Sequence, residues 1–277
     1  MYLSQIKNKI IASPMNPLST VEFAHACSKA GFWPSVTLFA YNNPIDMQKA
    51  IDDSPEGTII SASHDLFNIP FKNLKIVEFI SSPGCDIDLC KSIMKRLKDN
   101  NIEIIYKCVR LSTQGKHLIP YADCIELKTP DGAGFTNDDM PIDEQIDIVT
   151  NEFKKPYIIG GGISTYKHVK NWFDRGAYAV YVGTIISASQ ESIMSKNAKL
   201  LLTKAKSKHL SKFKTHQQGI IISEIKEDDF NHSMSSKIGI KTGTKGHIYS
   251  GKGIDDINEI LPLSEIYANL TQENHNV

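Results

Sequence analysis

The chain has 277 residues, 41% of them apolar, enough for a full hydrophobic core in one α/β barrel or in two smaller domains. Its 31 basic and 31 acidic residues cancel to zero formal net charge, which argues against a global attraction to nucleic acid or to anionic membranes. No apolar run approaches the roughly 18–20 residues of a membrane span, and the first residues, MYLSQIKNKI, lack the apolar core of a signal peptide. The five cysteines are scattered, with no C-x-x-C pair, and fit reduced thiols in a cytoplasmic protein better than a disulfide framework.

Short apolar runs alternate with helical stretches. Lys9 to Ala12 reads as a first strand, and Ser19 to Ala30 as a helix with Ser19 or Thr20 as N-cap and Gly31 as its stop. Phe32 to Leu38 is a second strand, Pro44 to Asp53 a helix and Thr58 to Ser61 a third strand. The connection from His64 to Asn73 is too short for a full helix before a fourth strand, Leu74 to Ile80. Asp86 to Asn100 is amphipathic, with Ile87, Cys90, Ile93, Met94 and Leu97 on one face. A fifth strand at Ile102–Tyr106, a weak helix at Ser112–Tyr121 and a sixth strand at Ala122–Leu127 follow. Pro141 to Phe153 and Ser164 to Arg175 are helical, around a seventh strand at Tyr157–Ile159, and Ala179 to Val182 is the eighth strand.

Eight strands mostly separated by helices predict a (β/α)8 TIM-type barrel over residues 1–190. A doubly wound α/β sheet is the alternative, but the first strand lacks the G-x-G-x-x-G of a dinucleotide-binding unit. Residues 191–277 read as a helical and loop extension packing on the barrel. Within it lie a long helix from Glu191 to Leu210, a polar loop from Glu224 to Lys245, and a last helix from Ile254 to Leu270. The basic stretch from Lys196 to Lys214 is either a solvated face or a contact for a phosphate or a carrier protein.

The seventh and eighth strands both end in glycine. Tyr157-Ile158-Ile159-Gly160-Gly161-Gly162-Ile163-Ser164 is followed about twenty residues later by Val180-Tyr181-Val182-Gly183-Thr184. Glycine lets a phosphate approach backbone N–H groups, and barrels commonly hold a phosphate on the loops after these two strands. The alternative is that the glycines only make tight turns.

Four segments in order resemble the nitronate monooxygenase family, formerly the 2-nitropropane dioxygenases, to which flavin-dependent enoyl-acyl-carrier-protein reductases are related. They are Ile10-Ile11-Ala12-Ser13-Pro14-Met15 with the helix start and Ala30-Gly31 behind it, Pro156 through Gly162, Gly176-Ala177 through Thr184 with the later Glu191-Ser192, and Ile248-Tyr249-Ser250-Gly251-Lys252-Gly253 with Pro262 and Glu265. The resemblance implies an FMN-dependent barrel. Gly161, Gly162, Gly183 and Thr184 would bind the phosphate, and the Pro14–Met15 backbone would lie under the isoalloxazine ring. Lys107 would stabilise negative charge on reduced flavin, or is a lysine at a strand end. Ser61, Ser63 or His64 would meet the ring edge.

One part of the family pattern breaks. An acidic-Ala-Gly-Gly-His stretch is expected after the sixth strand, and here Asp131-Gly132-Ala133-Gly134-Phe135 stands in its place. Phenylalanine cannot take a proton or hydrogen-bond a nitronate oxygen. Candidate replacements are His64 and Asp131, each also readable as a turn residue, with His247 in the Gly-rich loop behind them. Cys85, beside a helix start, is an activated thiol or a packing cysteine. No metal-ligand spacing is present.

Three functions follow from these residues. The first is FMN-dependent oxidation of a small organic substrate, such as an alkyl nitronate, by oxygen. The second is reduction of a carrier-tethered enoyl thioester, or another biosynthetic step, using NAD(P)H, with acyl carrier protein as a partner. The third is a non-redox phosphate-binding or degenerate barrel. A homo-oligomer is open to all three.

Overall fold

The apolar runs become β1 (Ile10–Ala12), β2 (Ser35–Thr37), β3 (Ile59–Ser63), β4 (Ile76–Ile80), β5 (Glu103–Lys107) and β6 (Cys124–Lys128). After a small strand outside the barrel, β7 (Gly134–Phe135), come β8 (Tyr157–Gly160) and β9 (Ala179–Val182). The computed structural model describes residues 2–81, 84–107, 111, 115–135, 140–213, 217–222 and 232–272, with backbone alone at 135, 217, 232 and 233. Eight parallel strands pair in the order β1-β9-β8-β6-β5-β4-β3-β2. A bridge between Ile11 and Trp33 closes the ring, with Ala12 N–H donating to Trp33 O at 3.0 Å and Trp33 N–H to Ile10 O at 2.9 Å. The closed ring is the expected (β/α)8 barrel and excludes the doubly wound sheet.

Around it run α1 (Val21–Ala30), α2 (Pro44–Asp52), α3 (Ile87–Asp99), the one-turn α4 (Lys116–Leu118), α5 (Ile142–Asp147), α6 (Tyr166–Asp174) and the short α7 (Thr184–Ser187). The longer helices start where a small polar side chain accepts from the first turn: Thr20 for α1, Asn43 for α2, Asp86 for α3 and Thr165 for α6. Between β3 and β4 there is only a 3-10 turn, Leu66–Asn68, as the short connection predicted. The weak helix expected at 112–121 lies partly outside the described residues; its described part is α4 and the turn Ile119–Tyr121.

The strand pleat sorts the barrel interior into two zones. Inward residues recur every second position. At the base, Ile11, Ile59, Ile76, Ile105, Cys124, Ile158 and Ala179 form one apolar cluster, with Ile6 of the N-terminal turn packed into it. Two residues further up the same strands stand Ser61, Glu78, Lys107, Glu126, Gly160 and Tyr181. The second zone is polar because the sequence puts a charge where the pleat continues inward.

Beyond the barrel come α8 (Lys196–Lys204), β10 (Ser211–Lys212), β11 (Gln217–Ile221), α9 (His232–Thr242), β12 (His247–Tyr249) and α10 (Leu263–Thr271). β10, β11 and β12 form a small antiparallel sheet, and β11 also pairs with β7, so this sheet is tied to the loop after β6. Three expectations are corrected here. The long helix at 191–210 is only α8. Ser195 caps its start, Glu191 instead accepts from the Leu263 N–H at the head of α10, and Lys206 and Ser207 are pulled out of helix by Asp255. The segment read as a polar loop contains α9, because Gly239 lets the helix backbone lie against the His247 carbonyl; tertiary packing overrides weak helix propensity. The last helix is two pieces, a 3-10 turn at Lys252–Asp256 and α10, with Pro262 as the N-cap residue of the second.

α10 packs on α1 and α6, with Tyr267 edge-on to Phe32 at 4.9 Å. It thereby fills the place in the outer ring that the four-residue α7 leaves open. Among the described residues no helix is long and apolar enough to cross a membrane.

Candidate active site

The strand ends converge on one cavity of about 460 Å³ at the C-terminal mouth of the barrel. One wall is the chain after β1, from Ser13 through Leu18. Beside it stand Gly183 and Thr184 after β9, and next to these Gly160, Gly161, Gly162 and Ile163 after β8. The two glycine-rich ends singled out in the sequence therefore face the same space. Gly161 and Gly162 have φ of 103° and 68°, which only glycine adopts readily. Their backbone is shaped by the neighbouring loop: a Cβ at Gly162 would sit 2.8 Å from Asp131 Cβ. Gly183 has an ordinary φ of −125°, and a Cβ there would meet Met15 Sδ at 3.5 Å, normal contact. The Thr184 hydroxyl accepts from Gly251 N–H at 3.0 Å and still has its own proton to donate.

The floor is the polar zone of the barrel. Lys107 Nζ lies 2.7 Å from Glu126 Oε1 and 3.5 Å from Glu78 Oε1. Ser61 Oγ donates to Glu78 Oε1 at 2.8 Å. These contacts follow from register, since Ser61 pairs with Glu78 and Lys107 with Glu126 across adjacent strands. Glu78 is fully buried and Glu126 nearly so. Oε2 of each carboxyl and the Tyr181 hydroxyl are buried together, bonded to neither Lys107 nor Ser61, with Glu78 near enough to Glu126 and Tyr181 to share a proton with them.

Two carboxyls beside one ammonium ionise unequally. Burial, and then the Glu126 charge, push Glu78 up to about 8. Burial opposes ionisation of Glu126 too, but Lys107 outweighs it and holds Glu126 below the usual carboxylate range. Lys107 in turn is held above its ordinary value, the two carboxyls overcoming burial. Lys128, one pleat above Glu126, is pushed down to about 7 by burial and by Lys107. Its ammonium donates to Ala133 O, and its stem occupies the space a Gly132 side chain would take.

The last wall comes from the extension. Ser236 and Ile240 of α9, Ile248 and Tyr249 of β12, and Gly253 line the cavity.

Of the residues expected at a site, Pro14, Met15, Lys107, Gly161, Gly162, Gly183 and Thr184 all line this cavity, as do Ser61 and Ser63. His64 does not line it. It is buried, with Nε2 3.0 Å from Asp65 Oδ1. Asp131 faces outward and pairs with Lys252 at 2.6 Å. His247 is buried in the extension, bonded to Ser235 Oγ at 3.0 Å and edge-on to Tyr249. Cys85 Sγ lies 3.5 Å from Cys90 Sγ, away from the cavity lining. The backbone of Phe135 pairs with Gln217 in the small sheet, and its side chain lies outside the described residues. Glu78, Glu126, Lys128 and Tyr181 were not expected. The period of two through Ile76-Glu78-Ile80 and Cys124-Glu126-Lys128 puts each charge in line with apolar base residues, but strand register is what shows that this line faces inward.

Over 97% of this chain and 93% of its own, FabK from Thermotoga maritima superposes with a TM-score of 0.80 at 20% identity. A nitroalkane oxidase from Streptomyces ansochromogenes does so at 0.72 and 15%, over 98% and 96%. The enoyl reductase domain of MlnA, from the macrolactin biosynthesis cluster of Bacillus amyloliquefaciens, gives 0.68 and 13%, over 95% and 92%. The chain has the fold of these proteins. That fold spans the barrel and the extension alike, and a nitroalkane oxidase and an enoyl reductase domain share it. No protein-family model matches the chain, and no curated protein matches it.

Proposed function

We propose that the protein is an FMN-dependent oxidoreductase acting on a small organic substrate. The observation that carries this is the meeting of three strand ends, Pro14–Met15, Gly160–Gly162 and Gly183–Thr184, around one cavity floored by Lys107. The residues fit the group. Two glycine-rich turns offer backbone and a threonine hydroxyl to a phosphate, an apolar strip at Met15 suits one face of a flat ring, and the floor offers a cation. When bound, the flavin supplies hydride and electron exchange. Gly161, Gly162, Gly183 and Thr184 would hold its phosphate, and Lys107 would stabilise negative charge on the ring. A visible absorption spectrum of the purified protein tests this. Flavin bands are the expected result, and protein that stays colourless after incubation with FMN sinks the reading.

Gly183→Ala separates binding from folding. Its φ is compatible with alanine and the new methyl meets only ordinary contacts, so the melting temperature should stay within a few degrees. Because Gly183 lines the cavity, FMN affinity should fall at least about tenfold, roughly 1.4 kcal/mol, as measured by fluorescence titration.

For the reaction, oxidation of an alkyl nitronate by oxygen is the first reading, with Phe135 in the position where the family base is expected. Reduction of an enoyl thioester with NAD(P)H is the second, favoured by the likeness to the MlnA enoyl reductase domain. Bleaching of the bound flavin by NAD(P)H, followed by enoyl-dependent reoxidation, decides between them. Acyl carrier protein remains a proposed partner. Lys196, Lys204, Lys208 and Lys212 are exposed for it, whereas Lys199 is buried and donates to Gln190 O at 2.9 Å. Cys27, Cys85, Cys90 and Cys124 form no disulfide, which suits a reducing compartment such as the cytoplasm.

A further inference from the structure

The expected acid–base positions leave the cavity without a proton-handling group. Phe135 stands where the family resemblance places a histidine, His64 does not line the cavity, and Asp131 pairs outward with Lys252. The barrel floor supplies one. Glu78 is fully buried and lines the cavity, and its carboxyl lies beside the Glu126 carboxyl and the Tyr181 hydroxyl, each near enough to share its proton. Its other oxygen accepts from Ser61 and faces Lys107.

The titratable groups and the hydroxyls around it come from four strands: Ser61 from β3, Lys107 from β5, Glu126 and Lys128 from β6, and Tyr181 from β9. Lys107 sits closer to Glu126, at 2.7 Å, than to Glu78, at 3.5 Å. The single paired ammonium therefore settles the negative charge on Glu126, and Glu78 keeps its proton in the neutral range. Tyr181, raised well above its ordinary value by burial and then by the two carboxyls, stays a neutral hydroxyl beside them.

We propose that Glu78 is the catalytic acid–base of this cavity, a carboxylic acid that gives its Oε2 proton to the substrate and recovers it from water. The inference rests on the flavin reading of the site. In the reductive direction, the Oε2–H bond breaks and the proton goes to the substrate atom that carries the developing negative charge. A flavin held at Gly161, Gly162, Gly183 and Thr184 would supply the electron pair, with a nicotinamide-type reductant as its source. The carboxylate left behind is held by the Ser61 hydroxyl and Lys107, and solvent water reprotonates it. In the oxidative direction, Glu78 must first be ionised to accept a proton.

The test uses the whole chain, with and without FMN. Infrared difference spectra across a pH titration should show the carbonyl stretch of a buried carboxylic acid at pH 7, disappearing as the pH passes about 8. Glu78→Gln, which keeps shape and can keep the Ser61 bond, should lack the band. The same variant should lose on the order of 100-fold or more in kcat, with KM and FMN affinity little changed. Ser61→Ala removes a bond that favours the ionised form, so it should move both the band's midpoint and the pH profile upward. A band untouched by Glu78→Gln, or no band at pH 7, overturns the proposal, as does a midpoint that Ser61→Ala leaves in place. Colourless protein that still shows the band would overturn the flavin reading and leave the protonation of Glu78 standing. Flavin-loaded Glu78→Gln turning over at the parent rate would overturn the catalytic role of Glu78 alone.

Discussion

Lys107→Met is expected to destabilise the fold by about 3–5 kcal/mol, the usual cost of leaving a buried charge without its partner. The methionine fills much of the same volume, so packing is nearly kept. What is lost is the ammonium 2.7 Å from Glu126 and 3.5 Å from Glu78. Glu126 is 2% exposed and cannot recover the loss by turning to water. Adding Glu126→Gln should restore most of the stability, because the buried carboxylate that lost its partner is then replaced by a neutral amide. The pH dependence has a definite sign. Lys107 lowers the pKa of Glu126, so this contribution is present above the ordinary carboxylate pKa and is lost as the pH falls through the folded value. The gap between parent and variant should therefore narrow in acid. Urea unfolding at pH 7 and pH 4 measures both effects. A single variant within about 1 kcal/mol of the parent would mean that the floor is far wetter than its geometry indicates.

Gly251→Ala should disrupt the cavity wall without touching the barrel strands. The Gly251 backbone lies against the loop after β6, and an added Cβ would fall far inside contact distance of the Asp131 carbonyl and 2.9 Å from Ala133 N. Both obstacles are backbone, so no side chain can swing aside. The same point is pinned by Lys252 N–H donating to Asp131 O at 2.8 Å and Gly251 N–H donating to Thr184. Overpacking there should cost about 1–3 kcal/mol and lift Tyr249 and Gly253 from the cavity. Limited proteolysis should show earlier cleavage within residues 205–260, and FMN binding should weaken by more than in Gly183→Ala. Unchanged binding and unchanged proteolysis would show that the extension is not held through this contact.

The strand ends were legible because glycine and proline mark them. Pro14, Gly161, Gly162 and Gly183 each interrupt an apolar run, and local chemistry alone says that the chain turns there. The barrel was legible from the alternation of runs and helices. The floor was not. Glu78 in Ile-Val-Glu-Phe-Ile and Glu126 in Cys-Ile-Glu-Leu-Lys are single charges in apolar strands, and nothing local says whether they point inward. Their meaning depends on register between strands far apart in sequence, which pairs Ser61 with Glu78 and Lys107 with Glu126. His64 was a natural candidate by its place after β3, yet a side chain one residue past Ser63 points to the other side of the pleat. The extension was misread for a related reason. Gly239 argues against helix locally, and only the His247 backbone beneath it explains why glycine is needed.

The small sheet that ties β11 to β7 also imposes an order in time on a chain made from one end. The last barrel strand ends at Val182, while the last wall residue of the cavity, Gly253, comes about seventy residues later. At roughly 5–20 residues per second of synthesis, the ring can be complete on the ribosome for about 4–14 s before its mouth acquires a wall. During that interval Glu78 and the Lys107–Glu126 pair of the floor stand open to water, which stabilises the two charges. On the flavin reading, capture of the ligand would follow closure, and a nascent chain stalled between β9 and β12 should carry the barrel and hold no flavin.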